Sequence, residues 1–423
     1  MKLTKRLKLT IKKYCNNKTK KNPKAVFFYP HTNCQLDGYD ILNGESDNVL
    51  CLFNDMIRDE KYKDYQFFIL YYHANRLQSY KDYCKDYNPK RIHFVYFNDY
   101  KAIRIAIYQC YTVFTDSDYT RIDYRSKNQR IVCLNYFGGL IKNEFHRWER
   151  HGGYQKMLQE QKAMHELYDF HLSISDICSK FIALDNCHYY SNFLSLGFPR
   201  NDILFKDYSE LRSQIEKLVG FKFEHLITYV PTHRDYENPA REFYDSSKAT
   251  IRSIWGYVTP EELDSLEDIL AETNTLIIAK VHPIQDAQTS VISKDARKHI
   301  FFYKDLAQNI KTSLNPLLSI SDSIITDYTT TVYDYLYLDR PIIYYFYDLE
   351  KYRATRGFFI EPIETVCAGH ITYKIAELQQ AIKDIAQGQD PEKQKRRFLR
   401  ELFIKDIDAN STQRIKNHFF PTK

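Results

Sequence analysis

The stretch DSIITDYTTTVYDYLYLDRPIIYYFYDLEKYRATRGFFIE, residues 322–361, constrains the fold more than any other part of the chain. SIIT is a short β-branched apolar run of the kind a buried strand requires, and it stops at Asp327. Thr329, Thr330 and Thr331 then open a predicted helix in which Val332, Tyr335, Leu336 and Leu338 recur at helical spacing, and a second strand, PIIYYFY, starts at Pro341. A strand, a helix and a strand in such close succession demand a parallel α/β unit. The hydroxyls and first backbone N–H groups of the helix would stand where an anion binds best, at the positive end of the macrodipole. Simple capping by the threonines is the alternative reading.

A chain of 423 residues exceeds one ordinary core, so two domains of about 200 residues each are expected, and 43% hydrophobic residues suffice to fill both. The nine cysteines form no C-x-x-C pair and no His/Cys cluster at ligand spacing. They are read as reduced packing residues of a cytosolic protein, with no metal site. No run approaches the roughly 20 apolar residues of a membrane span, and the N-terminus lacks the apolar core of a signal peptide.

The net charge of +6 is unevenly spread, because residues 1–24 hold ten Lys/Arg and no Asp or Glu. Leu3, Leu7, Ile11 and Tyr14 follow a helical stripe among those lysines, which suits a helix lying on an anionic membrane surface. A disordered basic tail is the alternative. Nothing downstream has the pattern of a nucleic-acid-reading module, so nucleic acid is not expected as a partner.

Along the chain, AVFFYP is a first buried strand, and Asp47 is placed to cap a helix whose Val49, Leu50, Leu52, Phe53, Met56 and Ile57 form an apolar stripe. QFFILYY, RIHFVYF, YTVFTD and RIVCLN continue as strands with helices such as KAIRIAIYQC between them. FGGLIKN then makes a glycine-bearing turn, and FHLSIS and FLSLGF are further strands. This alternation predicts a doubly wound domain over 25–205, after a basic segment 1–24. A second domain over 206–388 opens with helix 209–218 and the strand HLITYVP, continues with helix 260–272 and TLIIAKV, and contains 322–361. Helices at 373–388 and 391–420 close the chain, the segment 389–423 packing back toward the first domain. Strand ends of the second domain deliver three polar clusters to one rim: Thr232 to Asp235, Lys280 with His282, and Asp327 with Thr329 to Thr331. Cations, an imidazole and a hydroxyl-rich helix start describe a nucleotide-diphosphate site, and surface ion pairs are the alternative.

The ordered series NGESDN, FGGLIKN, GFPRNDIL, YVPTHRDYE, AKVHP, residues 322–359 and DANSTQRI resembles the CDP-glycerol glycerophosphotransferase family, the polyol-phosphate polymerases and primases of teichoic acids and related capsules. The resemblance implies an α/β fold of two Rossmann-like domains facing across a cleft, of GT-B type, peripheral on the inner face of the cell membrane. It implies transfer of a polyol-phosphate from CDP-glycerol or a related CDP-polyol to a membrane-linked glycan or polymer, with release of CMP. His282 matches the family's HP histidine near the pyrophosphate, and Thr329, Thr330 and Thr331 match its phosphate-binding hydroxyls. Thr232, Arg234, Lys280, Asp327 and Arg356 complete the expected donor side, with Arg234 and Lys280 as charge neutralisers. Ser46, Asp47, Gly138, Gly139 and Lys142 are the expected acceptor side. No cofactor is called for; Mg2+ is left open.

The series departs from the family at Phe137, which stands where the family carries its acceptor-side histidine and cannot take a proton. The nearby polar supply is His31, Asp37, Glu45 to Asn48 and His146, and His31, at the end of the first strand, is the preferred substitute base. Two other readings stay open: a glycosyltransferase of the same fold using a nucleotide sugar, and a catalytically silent nucleotide-binding partner in polymer assembly.

Overall fold

The computed structural model describes residues 2–30, 47–116, 125–134, 155, 158–159, 167–185, 189–232, 234, 254–256, 258–281, 296–310 and 312–421. They divide into two compact units. The first takes in the N-terminal part of the chain, the stretch ending at Ile203, and the chain from Asp408 onward; the second takes in Leu204–Ile407.

Seven strands build the first unit: β1 Asn22–Tyr29, β2 Gln66–Tyr71, β3 Ile92–Tyr96, β4 Cys110–Thr115, β5 Arg130–Cys133, β6 Phe170–Leu172 and β7 Phe193–Leu194. Their order is β3-β2-β1-β4-β5-β6-β7, every pair parallel. β1 is central, with Val26 opposite Phe67 of β2 and Thr112 of β4, which is why AVFFY is apolar at every position and fully buried. The strand order reverses between β1 and β4, so the carboxyl ends of those two strands frame the position where such sheets bind ligands.

The basic segment forms the helix α1, Lys2–Lys18, and docks on this unit. Leu9 packs against the core beneath β1 and β4, the Tyr108 hydroxyl donates to the Lys12 carbonyl at 3.1 Å, and Asn16 Nδ2 donates to Gln129 Oε1 at 3.0 Å. Leu7, Ile11 and Tyr14 are 62%, 53% and 63% exposed, so the apolar stripe faces away from the protein. No described helix is long and apolar enough to cross a membrane. Six of the seven described cysteines are buried; burial pushes the Cys84 and Cys178 thiols up to about 12, which keeps them protonated packing groups.

The second unit holds β8 His225–Val230, β9 Thr275–Ala279, β10 Ile300–Phe302, β11 Ser323–Thr326, β12 Ile342–Tyr345 and β13 His370–Thr372, all parallel, in the order β10-β9-β8-β11-β12-β13. SIIT and PIIYYFY thus pair directly, Ile324 opposite Ile342. The helix between them is shorter than the spacing predicts: Thr331–Tyr335, then a 3-10 turn Leu336–Leu338 that ends at Asp339 in the left-handed region at φ 50°. β10 and β13 are three-residue edge strands, too short for an alternating pattern to reveal.

The expected helix 391–420 is two helices, Lys393–Phe403 and Ser411–Phe419, because Ile404 is extended and Asp406, Asp408 and Asn410 favour turns. The first belongs to the second unit, where the buried guanidinium of Arg396 joins Asp339 at 3.1 Å to Asp390 at 2.7 Å. The other belongs to the first unit. Its cap residue Asn410 makes no side-chain cap bond; instead Asp202 accepts from Ser411 N at 2.8 Å and Thr412 N at 2.7 Å. Arg414 donates to the Leu196 carbonyl at 3.0 Å, and a Cβ on Gly197, at φ 82°, would meet Ser411 Oγ at 2.4 Å. Asp202→Ala is therefore expected to lower the stability of the first unit by about 1–2 kcal/mol, the usual worth of a lost cap, read as a lower urea midpoint at unchanged slope. An unchanged midpoint would mean the helix start is satisfied without Asp202.

Candidate functional site

In the second sheet the order reverses between β8 and β11, so the ligand position expected of the topology lies where Val230 and Thr326 end. Thr232 and Arg234 follow β8 here, and Asp327 and Thr329 to Thr331 follow β11. Asp327 is almost fully buried and turned inward: its two oxygens accept from Thr232 N at 2.9 and 3.0 Å, and Oδ2 accepts from Arg234 Nη1 at 2.7 Å. The aspartate latches the exit of β8 to the exit of β11.

Arg234 differs most from expectation. As a charge neutraliser it would face a ligand, but it is 1% exposed and committed to the protein. Nε and Nη2 donate in a fork to Asp348 at 2.8 and 3.0 Å, and Nη1 donates to the Thr232 carbonyl at 2.6 Å as well as to Asp327. The rings of Tyr347, Tyr328 and Tyr352 surround its guanidinium with centroids at 5.0, 5.2 and 5.8 Å. Two carboxylates consume one cation, leaving no positive charge over for a diphosphate. Its role is to hold three strand exits together, because Asp348 follows β12 and also accepts from the Tyr328 hydroxyl at 3.1 Å.

Sequence reasoning missed Asp348, although FYDLEKY was among the family-like stretches; an Asp at the end of the apolar run PIIYYFY, where a strand exit meets the rim, was the available signal.

Around the hub the rim is rich in hydroxyls. Thr232 Oγ1 is buried and makes no hydrogen bond among the described residues. Thr329, Thr330 and Thr331 are half-buried; Thr329 Oγ1 lies 3.2 Å from Thr331 Oγ1, and Thr330 makes no side-chain cap bond. A five-residue helix has little macrodipole, so an anion here would be held by hydroxyl and backbone donors. Lys280 stands half-buried at the end of β9, its ammonium 5.6 Å from the Tyr303 ring centroid, and Arg356 is half-buried beyond the helix Leu349–Thr355. His282 lies outside the described residues, as do His31, Asp37, Ser46, Phe137, Gly138, Gly139, Lys142 and His146.

On the first unit Asp47 caps the helix α2, Asn48–Arg58, accepting from Leu50 N at 2.8 Å as the sequence predicts. Beside it stands a residue the sequence reading did not weigh. Asp116, directly after β4, accepts from Val49 N at 3.0 Å and is buried; burial, then the neighbouring charge of Asp47, holds its carboxyl well above the usual carboxylate range. It is a buried carboxyl at the β1/β4 reversal. Among the described residues no cluster of His, Cys, Asp or Glu could hold a metal ion.

Comparison with known proteins gives a profile match over residues 37–420 to the family described as CDP-glycerol:poly(glycerophosphate) glycerophosphotransferase. The teichoic acid ribitol-phosphate polymerase of Staphylococcus aureus is 26% identical over 54% of this chain and 37% of its own length. The teichoic acid poly(glycerol phosphate) polymerase of Bacillus spizizenii is 30% identical over 40% of this chain and 39% of its own. The alignments thus span less than half of these relatives. Among solved structures, a variant of the wall teichoic acid polymerase TagF soaked with CDPG superposes with a TM-score of 0.69 at 19% identity, covering 97% of this chain and 92% of that one, which shows the shared fold.

Arg234→Met is expected to cost about 3–5 kcal/mol of unfolding free energy, because it leaves Asp327 and Asp348 buried without their cation. Arg234→Lys should restore only part, since a point charge cannot fork to both. Urea unfolding checks this. A variant as stable as wild type but unable to bind nucleotide would return Arg234 to direct charge neutralisation.

Proposed function

The chain belongs to the CDP-glycerol:poly(glycerophosphate) glycerophosphotransferase family, and from that premise we propose that it moves a polyol-phosphate from CDP-glycerol or a related CDP-polyol to a membrane-linked glycan or polymer acceptor, releasing CMP. The observation that carries the reading is the hydroxyl-rich turn at the β8/β11 reversal, held in shape by a buried Arg234 that is itself unavailable to the ligand. Thr232 and Thr329 to Thr331 bind the pyrophosphate, Lys280 and Arg356 supply the positive charge that Arg234 does not, and His282 stabilises or protonates the leaving phosphate. Transfer is an in-line attack by the acceptor hydroxyl on the phosphorus bearing the polyol. It therefore depends on positioning and charge neutralisation more than on covalent chemistry.

The acceptor belongs to the first unit, which would face the donor across a cleft as in GT-B enzymes. With Phe137 unable to act as base, His31 or Asp116 takes the acceptor proton; Asp116 is supported by its place at the β1/β4 reversal, directly after β4 and against the start of α2. α1 lays Leu7, Ile11 and Tyr14 on the inner face of the membrane, where its lysines meet anionic headgroups. Phe137 also favours a second reading, a silent CDP-polyol-binding partner.

The direct test is CMP release by the purified chain with CDP-glycerol, with and without acceptor. Thr329→Val/Thr330→Val is expected to weaken CDP-glycerol binding by about 1–3 kcal/mol in calorimetry, the worth of two hydroxyl bonds to a charged group. His282→Ala should lower CMP release by about a hundredfold with binding retained. Unchanged affinity in the valine variant would give the threonines a packing role, and binding without any CMP release would favour the silent partner.

A further inference from the structure

The first unit holds a cavity of about 990 Å3 that the transfer reaction does not use. It lies at the amino ends of β4, β5 and β6, where Tyr111, Arg130 and Phe170 line it, and so at the sheet edge opposite Asp47 and Asp116. Four cationic side chains border it, Lys13, Arg125, Lys127 and Arg130, against one carboxylate, Asp169. That carboxylate is already engaged, accepting from Arg125 Nη2 at 2.7 Å and Ile131 N at 2.8 Å. Among the described residues no acidic group pairs with Arg130: it donates to Thr112 Oγ1 at 2.9 Å and the Phe419 carbonyl at 2.8 Å, and its buried Nε has no partner. Phe419 and Tyr111 hold the guanidinium in place, with ring centroids at 4.8 and 5.4 Å. Asp169 acts on Arg130 only from beyond hydrogen-bond reach, so the four cations leave positive charge over for an anion.

Lys13 also says where that anion comes from. It stands on α1 about a third of a turn from the exposed stripe of Leu7, Ile11 and Tyr14, so the cavity wall and the stripe share one helix. We propose that this cavity takes the phosphodiester headgroup of an anionic glycerophospholipid when α1 lies in the membrane interface. The site rests on the membrane reading of α1 given above and adds a defined headgroup pocket to it. Apolar side chains at the stripe enter the acyl boundary while Lys13, Lys127 and Arg130 close on the phosphate beside it.

Sedimentation of the full chain with phosphatidylcholine vesicles, with and without phosphatidylglycerol, tests both steps. Diffuse attraction gives each surface lysine roughly a fivefold effect wherever it sits. Lys13→Gln/Lys127→Gln, two exposed residues at the cavity, is therefore compared with Lys8→Gln/Lys18→Gln, which removes equal charge from α1 away from it. The cavity pair is expected to lose at least about tenfold more affinity for phosphatidylglycerol vesicles than the matched pair, and Arg130→Gln, with its melting temperature checked, more than Lys8→Gln. Equal losses in the two pairs would overturn the pocket and leave the membrane reading standing; no binding by wild type would overturn both. Glycerol 3-phosphate that bound wild type as tightly as the vesicles do, through the same residues, with vesicle binding indifferent to the cavity pair, would assign the cavity to a soluble phosphate and overturn the lipid headgroup.

Discussion

A guanidinium buried between two carboxylates holds the second unit's ligand rim in shape. Arg234 forks to Asp348 and reaches Asp327, and since these residues follow β8, β12 and β11, one side chain fixes the exits of three neighbouring strands. Removing three charges from water is expensive, and the site offsets it with four hydrogen bonds from the guanidinium and with aromatic rings around the cation. The return is geometric. Asp327 can hold the Thr232 amide only while Arg234 holds Asp327, and the threonine hydroxyls after Asp327 take their positions from that latch.

Much of this fold is legible in the chain because parallel sheets bury both faces of their strands. AVFFY, HLITYV, TLIIA and SIIT are apolar at nearly every position, and each is a strand. β10 and β13 escape because three edge residues carry no period. The helix after Asp327 reads as longer than it is, since a tight turn at Asp339 interrupts an apolar spacing that would otherwise continue. At the site, residue types point to the right rim but not to the division of roles. Arg234 looks like a ligand cation in sequence because its two acidic partners lie 93 and 114 residues away, and only the sheet brings them in. Asp116 is hidden for the same reason: its neighbour Asp47 caps a helix far away in the sequence, and a raised proton affinity is a property of the pair and its burial.

Two family-like stretches also gain a structural explanation. GFPRND and DANSTQR meet in the first unit, where Asp202 supplies the helix cap that Asn410 does not and Gly197 leaves the space that Ser411 needs. These residues return the end of the chain to the unit where it began. The basic segment likewise serves two ends, docking through Leu9 and Asn16 while presenting its apolar stripe outward, a division that net charge alone cannot reveal.

The central claim is that the donor is held where β8 and β11 end. Amide hydrogen exchange of the full chain with and without saturating CDP-glycerol tests it most directly. Slowed exchange concentrated at residues 231–234 and 327–335, with the amino ends of β4 to β6 unchanged, is the predicted result. Protection absent from both segments while CDP-glycerol is bound would contradict the account.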